Sequence, residues 1–130
     1  MPASDYLDDL VARWALEATN MPAAPDAYVA LFTALPTKAG GGTEVAGGGY
    51  ARILAAPSVW TVSGSPVQAA NNDVLSFGTA TASWGAVLGF GVYDAVTVGN
   101  LLFFAGTNTI NPTNGNLVVF NAGQLLIIGN

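Results

Sequence analysis

Cysteine and histidine are both absent from the 130 residues. Without cysteine the chain can form no disulfide, thiol nucleophile or zinc–thiolate site. Without histidine it lacks the usual imidazole base and metal ligand. Charged residues make up only 8% of the chain, against about 25% in ordinary globular proteins. Three basic residues stand against eight acidic ones, and binding phosphates takes clustered lysine and arginine. We therefore predict no nucleic-acid partner.

Long apolar runs are also absent, although apolar residues make up 52% of the chain. The stretches 101–105 and 125–128 are far shorter than the roughly 18–20 apolar residues that a membrane-spanning helix needs. We therefore predict no membrane span. The opening MPASDYLDD is acidic and has no apolar run, so we expect no signal peptide. The length suits a single domain that covers residues 1–130.

One helix is predicted at residues 5–18, within an amino-terminal segment covering residues 4–20. Ser4 is a suitable N-cap, and acidic residues follow it at the positive end of the helix dipole. Apolar side chains recur at helical spacing on one face, namely Leu7, Leu10, Val11, Trp14 and Ala18. Ion pairs are predicted on the opposite side, Asp9–Arg13 and Arg13–Glu17. We expect Asn20 and Pro22 to end the helix, and the helix to pack across one end of the rest of the domain.

From residue 27 to residue 130 the pattern changes to short β segments separated by turns. Nine strands are predicted, at 27–34, 50–56, 59–62, 67–69, 73–77, 84–93, 101–104, 117–120 and 124–128. Residues 35–49 contain six glycines and are predicted to form a long, mobile loop. Residues 94–100 are predicted to form a hairpin loop. The fold class is therefore mainly β, an antiparallel β-sandwich or barrel of about 7–9 short strands with one N-terminal α-helix.

Two segments superficially suggest ligand sites. The glycines Gly40–Gly42 and Gly47–Gly49 could cradle a phosphate, but a P-loop needs Lys and Ser or Thr directly after its glycines. Here Thr43 and Tyr50 follow instead. The sequence Asn71-Asn72-Asp73 carries three oxygen-bearing side chains, but calcium prefers six to eight oxygens with several carboxylates. A flexible loop and a turn are the better interpretations, so we predict no cofactor and no metal.

The carboxylates show no catalytic arrangement. Asp5, Asp8 and Asp9 lie at the start of the predicted helix, where the helix dipole explains them. Asp73 and Asp94 lie at predicted turns. With no histidine, no cysteine and no paired acids, we predict a non-enzymatic protein without catalytic residues.

The three tryptophans are the remaining candidates for a binding site, because exposed aromatic rings stack on sugars in carbohydrate-binding modules. Trp14 lies on the apolar helix face and is predicted to be core. Trp84 and Tyr93 are predicted to be buried in the β core. Trp60 is the tryptophan expected to be most exposed.

The low charge bears on assembly. A small domain has much surface for its volume and needs charge to remain soluble. After residue 27 the chain has only scattered charges, Lys38, Glu44, Arg52, Asp73 and Asp94. A surface with so little charge is either covered with small polar residues or buried against other subunits. We predict a homo-oligomer, preferably a trimer.

Several blocks of the sequence resemble a family of small virion proteins of tailed bacteriophages that often carry the label "phage tail fibre protein". The blocks are Tyr28–Thr33, Gly47–Arg52, Trp84–Gly85, Gly91–Ala95 and Gly99–Phe103. The resemblance covers nearly the whole chain. Departures from the family pattern are Leu35, Gly78, Val96 and Val98, which affect loop contacts rather than the fold.

The resemblance implies a structural protein of the virion. Fibre shafts are long and repetitive, whereas this chain is one repeat-free domain. We therefore predict a capsid decoration (cement) protein at the capsid surface that binds the major capsid protein or other virion proteins and stabilises the assembled shell. The glycine-rich loop and the helix would make the contacts. The alternative is a tail-fibre or tail-tip module that attaches to a host glycan.

Overall fold

The computed structural model describes residues 3–129. It begins with helix α1, Asp5–Glu17. Ser4 caps the helix as predicted, because its Oγ accepts a hydrogen bond of 3.2 Å from the backbone N–H of Leu7. The carboxyl end differs from the prediction. Ala18 adopts a left-handed conformation with φ of 54°, so the helix ends before Asn20 and Pro22 rather than because of them.

Ten strands follow the helix. They are β1 (Ala27–Ala34), β2 (Thr43–Glu44), β3 (Ile53–Ala55), β4 (Trp60–Ser63), β5 (Gln68–Asn71), β6 (Leu75–Thr79), β7 (Val87–Tyr93), β8 (Leu101–Ile110), β9 (Leu117–Phe120) and β10 (Leu126–Ile128). A short 3₁₀ helix, Pro57–Val59, precedes β4. All pairings between these strands are antiparallel.

The largest sheet has the order β2-β1-β7-β8, and β3 pairs with β1 on the same edge as β2. Strand β1 is central, and its residues 29–32 are fully buried on both faces. Strand β7 lies against it with Phe32 opposite Gly89. A Cβ at Gly91 would lie 2.8 Å from the Phe32 ring. Glycine in β7 therefore makes room for the aromatic core of this sheet.

Two smaller sheets complete the fold, one of order β10-β5-β4 and one made of β6 and β9. A single apolar core joins all three sheets. Tyr50 stacks on Phe77 at 6.2 Å, and Phe77 meets Phe120 edge-on at 5.9 Å. The mainly antiparallel β fold with one N-terminal helix is confirmed, and the sheets remain open rather than closing into a barrel.

The nine predicted strands are all present; β1 and β9 have the predicted bounds, and the others have changed ends. Trp84 precedes β7 rather than beginning it, and β8 continues six residues beyond the predicted end at residue 104. The glycine-rich segment 35–49 is not one continuous loop, because β2 lies inside it and pairs with β1. Within its second glycine group, Gly48 is packed tightly. A Cβ at Gly48 would lie 2.8 Å from the Trp84 ring, which explains that glycine without a phosphate.

Helix α1 is attached to the sheet mainly through its first residues. Ala3 forms an isolated bridge with Phe103 of β8, and the backbone N–H of Ser4 donates to the Leu102 carbonyl at 2.9 Å. No residue of the helix itself is buried. The prediction that Trp14 belongs to the core is therefore wrong, because Trp14 is 57% exposed. Within residues 3–129, no helix combines the length and apolar character that crossing a bilayer takes.

Candidate interaction surfaces

The predicted acidic candidates are dispersed and occupied by local contacts. Asp8 pairs with Lys38, and Asp9 pairs with Arg13 at 2.9 Å. The Oδ1 atom of Asp73 accepts a hydrogen bond from the next backbone N–H at 2.8 Å. Across residues 3–129, no three carboxylates lie close enough together to hold a metal ion. The predictions of no enzyme activity and no cofactor stay predictions.

The charged cluster that the fold does assemble was not anticipated from the sequence. The Arg52 guanidinium donates from Nη2 and Nε to the two carboxylate oxygens of Glu44, at 2.9 and 3.0 Å. Its Nη1 donates to the carbonyl oxygens of Ala95 and Val98, at 3.0 and 2.8 Å. The Cζ atom of the Arg52 guanidinium lies 3.8 Å from the centre of the Tyr93 ring. The Arg52 side chain is 8% exposed and that of Glu44 is 28% exposed, so this is a largely buried, bidentate ion pair.

Tyr50 completes the cluster. Its hydroxyl donates to Glu44 Oε2 at 2.6 Å and accepts from the backbone N–H of Leu31 at 3.0 Å. Burial raises the pKa of Tyr50, and its hydrogen bond to Glu44 raises it further. Burial alone would raise the pKa of Glu44, but hydrogen bonds from Arg52 and Tyr50 and the charge of Arg52 outweigh it, so that pKa lies below its ordinary value. The ion pair is charged at neutral pH.

This cluster holds the loop between β7 and β8. The loop is the predicted hairpin, residues 94–100, and Asp94 closes it by accepting hydrogen bonds from the backbone and side-chain N–H groups of Asn100, at 2.6 and 3.0 Å. Val98 at the tip has a φ of 56° and is 84% exposed. A β-branched residue in this conformation is strained. Arg52 therefore fixes a loop that presents an apolar tip to its surroundings.

Tyr93 is less buried than predicted. It lies at the carboxyl end of β7 and is only half-buried. The Arg52 guanidinium covers one side of its ring, and the Phe32 ring stacks near it at 6.3 Å. The companion prediction is confirmed: Trp84 is buried, its indole N–H donates to the Gly48 carbonyl at 2.8 Å, and its ring meets Tyr50 edge-on at 5.4 Å.

Asn71 has a structural role that the sequence did not indicate, although the segment Asn71-Asn72-Asp73 drew attention as three oxygen-bearing side chains. It ends β5 and is only 2% exposed. Its amide Nδ2 donates to the carbonyls of Asp73 and Asn121, at 2.9 and 3.0 Å, and its Oδ1 accepts from the backbone N–H of Leu125 at 3.0 Å. The Asn71 side chain therefore bridges the end of β5 and the turn before β10.

The largest candidate for a contact with another molecule is an apolar trough between α1 and the sheets. One part, of about 490 Å³, is lined by Trp60 and Val62 among others, and an adjoining part of about 680 Å³ runs beneath the helix. The two parts share Pro25, Leu102 and Phe103. Asp94 is the one charged residue among those lining the trough, and Asn100 binds both its carboxylate oxygens. Trp60, predicted to be the most exposed tryptophan, is half-buried in this wall.

Helix α1 continues the same apolar surface. Leu7, Leu10 and Val11 line the trough from the helix side. Trp14 follows them one turn further along the same face and protrudes from it. The ion pairs Asp9–Arg13 and Arg13–Glu17 lie elsewhere on the helix, as predicted. The helix is thus amphipathic, and Leu7 packs partly against the core, whereas Val11 and Trp14 at the other end of its apolar face are exposed.

Comparison with known proteins identifies the family of this chain. Among curated proteins, none matches the sequence. A protein-family model described as podophage GP4 fiber I protein gp80 matches residues 2–128, which confirms the resemblance to phage tail fibre-like proteins. Because the match spans nearly the whole chain, the chain belongs to the family of the podophage GP4 fiber I protein gp80.

Proposed function

We propose that the chain is a non-enzymatic structural subunit of a bacteriophage fibre, located at the tail and assembled as a homo-oligomer, preferably a trimer. The observation that carries the proposal is the family match, because it covers residues 2–128 and its description names a fibre protein. A virion structural role follows from membership of a fibre family. The match gives no support to the capsid decoration hypothesis and favours the tail-fibre alternative.

The surface supports an assembly role. The trough and the exposed helix face form a long apolar surface with one charged residue along the trough. Monomeric soluble proteins rarely expose contiguous apolar patches of large area, and such patches mark interaction sites. The strained, braced tip at Val98 is a second exposed apolar contact point.

The chemistry of the chain supports a role without catalysis. The sequence has no histidine or cysteine. Its most buried charged side chains are Arg52 and Glu44. The Arg52 guanidinium donates hydrogen bonds to the Glu44 carboxylate and to two backbone carbonyls. The pair fixes the loop 94–100 in place, which is a structural role.

The position of the protein on the virion tests the proposal. A gold-labelled antibody raised against the purified protein is expected to decorate the tail of intact particles. Particles lacking the protein are expected to adsorb to host cells at least tenfold more slowly and to keep the heat resistance of wild-type particles. As the control, purified protein is added back to these particles, and their adsorption is expected to return to the normal rate.

The opposite result would refute the fibre function. A decoration protein binds the assembled shell and not its dissociated parts, so it shifts the shell toward the assembled state by linkage. Antibody label distributed over the shell would support the capsid decoration hypothesis, provided that particles lacking the protein rupture at lower temperature and adsorb normally.

A further inference from the structure

We infer that the apolar face of α1, formed by Leu7, Leu10, Val11 and Trp14, is the contact between copies of this chain, with the same face of each copy meeting around a symmetry axis. The inference rests on the proposed homo-oligomer and specifies where its subunits touch.

The first observation is the exposure of this face. Helices of globular proteins normally bury their apolar stripe, and most of their stability comes from that packing. Here no residue of α1 is buried, Val11 is about half exposed and Trp14 is 57% exposed. Tryptophan is the residue type most enriched among interface hot spots. Leu7 packs partly against the core, but Val11 and Trp14 present exposed apolar surface that a partner from outside the single chain would cover.

The second observation is the size of the surface. Nineteen different residues line the two parts of the trough, and four of them, Ala69, Val92, Leu102 and Ile127, belong to the buried core. Trp14 extends the surface. A stable protein–protein interface uses about 20–30 residues from each partner. The exposed part of the trough and the helix face together thus approach the size of one side of such an interface.

The third observation is the lack of charge. Asp9, Arg13 and Glu17 pair with each other on the helix, at 2.9 and 3.2 Å, and Asp8 pairs with Lys38. The ionic groups near the stripe are therefore engaged within one copy, and the trough itself offers a partner only Asp94, which Asn100 already binds. Interface cores are depleted of charge, and the surface that matches an uncharged stripe is another uncharged stripe. A second copy supplies it by symmetry.

Sedimentation of the purified full chain with two matched variants tests the inference. The wild type is expected to sediment as a multiple of 13.2 kDa at micromolar concentration. Trp14→Asp is expected to weaken the association by about 30-fold or more, because a charge replaces a central aromatic residue. Leu16→Asp is the control, since Leu16 is 85% exposed and lies on the opposite side of the helix. It is expected to remain assembled.

Because the chain contains no cysteine, single introduced thiols report directly on the contact. Val11→Cys is a small change on the stripe and is expected to form a disulfide-linked pair of chains under mild oxidation. Leu16→Cys is expected to remain uncross-linked. Circular dichroism of each variant checks that the β fold is retained.

Three outcomes overturn the inference: a wild-type chain that stays monomeric, a folded Trp14→Asp variant that stays assembled, or an oligomer in which Val11→Cys fails to cross-link. A monomeric wild type would also overturn the homo-oligomer of the proposed function, whereas the other two results concern the contact surface alone. The proposed fibre function fails separately, through label on the shell or normal adsorption without the protein.

Discussion

Replacement of Asn71 by alanine is the most direct test of how the small sheet β10-β5-β4 is held to the rest of the fold. The Asn71 side chain donates to the carbonyls of Asp73 and Asn121 and accepts from the backbone N–H of Leu125. Leu125 is fully buried. Alanine would remove these three hydrogen bonds, and a longer one of 3.5 Å to the Phe120 carbonyl, while leaving the backbone bonds of β5 in place.

The expected cost follows from the groups left behind. An unsatisfied buried polar group costs about 1–3 kcal/mol. The carbonyls of Asp73 and Asn121 belong to exposed residues and can be reached by water, so they contribute little beyond the lost bonds, whereas the N–H of Leu125 cannot. We expect Asn71→Ala to lower the free energy of unfolding by about 3 kcal/mol, or roughly 10 °C in the melting temperature of a domain of this size.

Urea denaturation at one fixed protein concentration measures the effect, since assembly makes the apparent stability depend on concentration. The matched control is Asn72→Ala, the neighbouring residue of the same type, whose exposed amide donates only to the Thr61 hydroxyl. It is expected to change the free energy of unfolding by about 0.5 kcal/mol or less. An Asn71→Ala variant as stable as the Asn72→Ala control would refute the reasoning.

Three further changes test other parts of the structure. Trp84→Ala is expected to lower the free energy of unfolding by about 3–5 kcal/mol through a cavity, and Trp84→Phe by about 1–2 kcal/mol through the lost indole hydrogen bond; a wild-type melting temperature for the alanine variant would contradict this. The pKa of Glu44 is lower in the folded chain than in the unfolded chain, so the unfolded chain takes up a proton at Glu44 first as the pH falls. The ion pair therefore stabilises the fold above about pH 4.5, and this stabilisation is lost as the pH drops through the folded-state pKa of Glu44. Glu44→Gln is expected to be less stable than wild type at neutral pH, with the difference shrinking in acid; unfolding curves that stay equally far apart from pH 7 to pH 3 would argue against the ion pair. Val98→Gly is expected to raise the free energy of unfolding by about 0.5–1 kcal/mol in thermal denaturation. Glycine relieves the strain of the left-handed conformation, and the greater entropy of the unfolded chain offsets part of that gain. Val96→Gly is the control and is expected to bring no gain.

Local sequence patterns predicted the elements of this fold well. Strand β1 has the predicted bounds, and the middle of its apolar run, residues 29–32, is buried on both faces. The Ser4 cap and the two helical ion pairs are also as predicted. These features depend on residues within about four positions of each other, which a sequence displays directly.

Predictions of burial were less successful where they depended on distant neighbours. Trp14 has the spacing of a core residue, but the sheet reaches only the first turns of α1 and leaves it exposed. Tyr93 lies on a buried strand, but the strand ends there and Arg52 covers it in place of apolar side chains. Periodicity shows which face of an element is apolar, and it does not show whether anything lies against that face.

The sequence by itself determined the mainly β fold class, the order of its elements, the single amphipathic helix and the exclusion of thiol and imidazole chemistry. The tertiary structure alone decided which polar residues meet. Arg52 reaches Glu44 and the tip of a loop more than forty positions away, and Asn71 bridges to Leu125 across fifty-four. Such pairs depend on strand order and register, which arise from the packing of the whole core. The same holds for the trough, because its walls come from α1, the segment 21–25 and strands of two different sheets, and the trough exists only where these two sheets meet beside the helix.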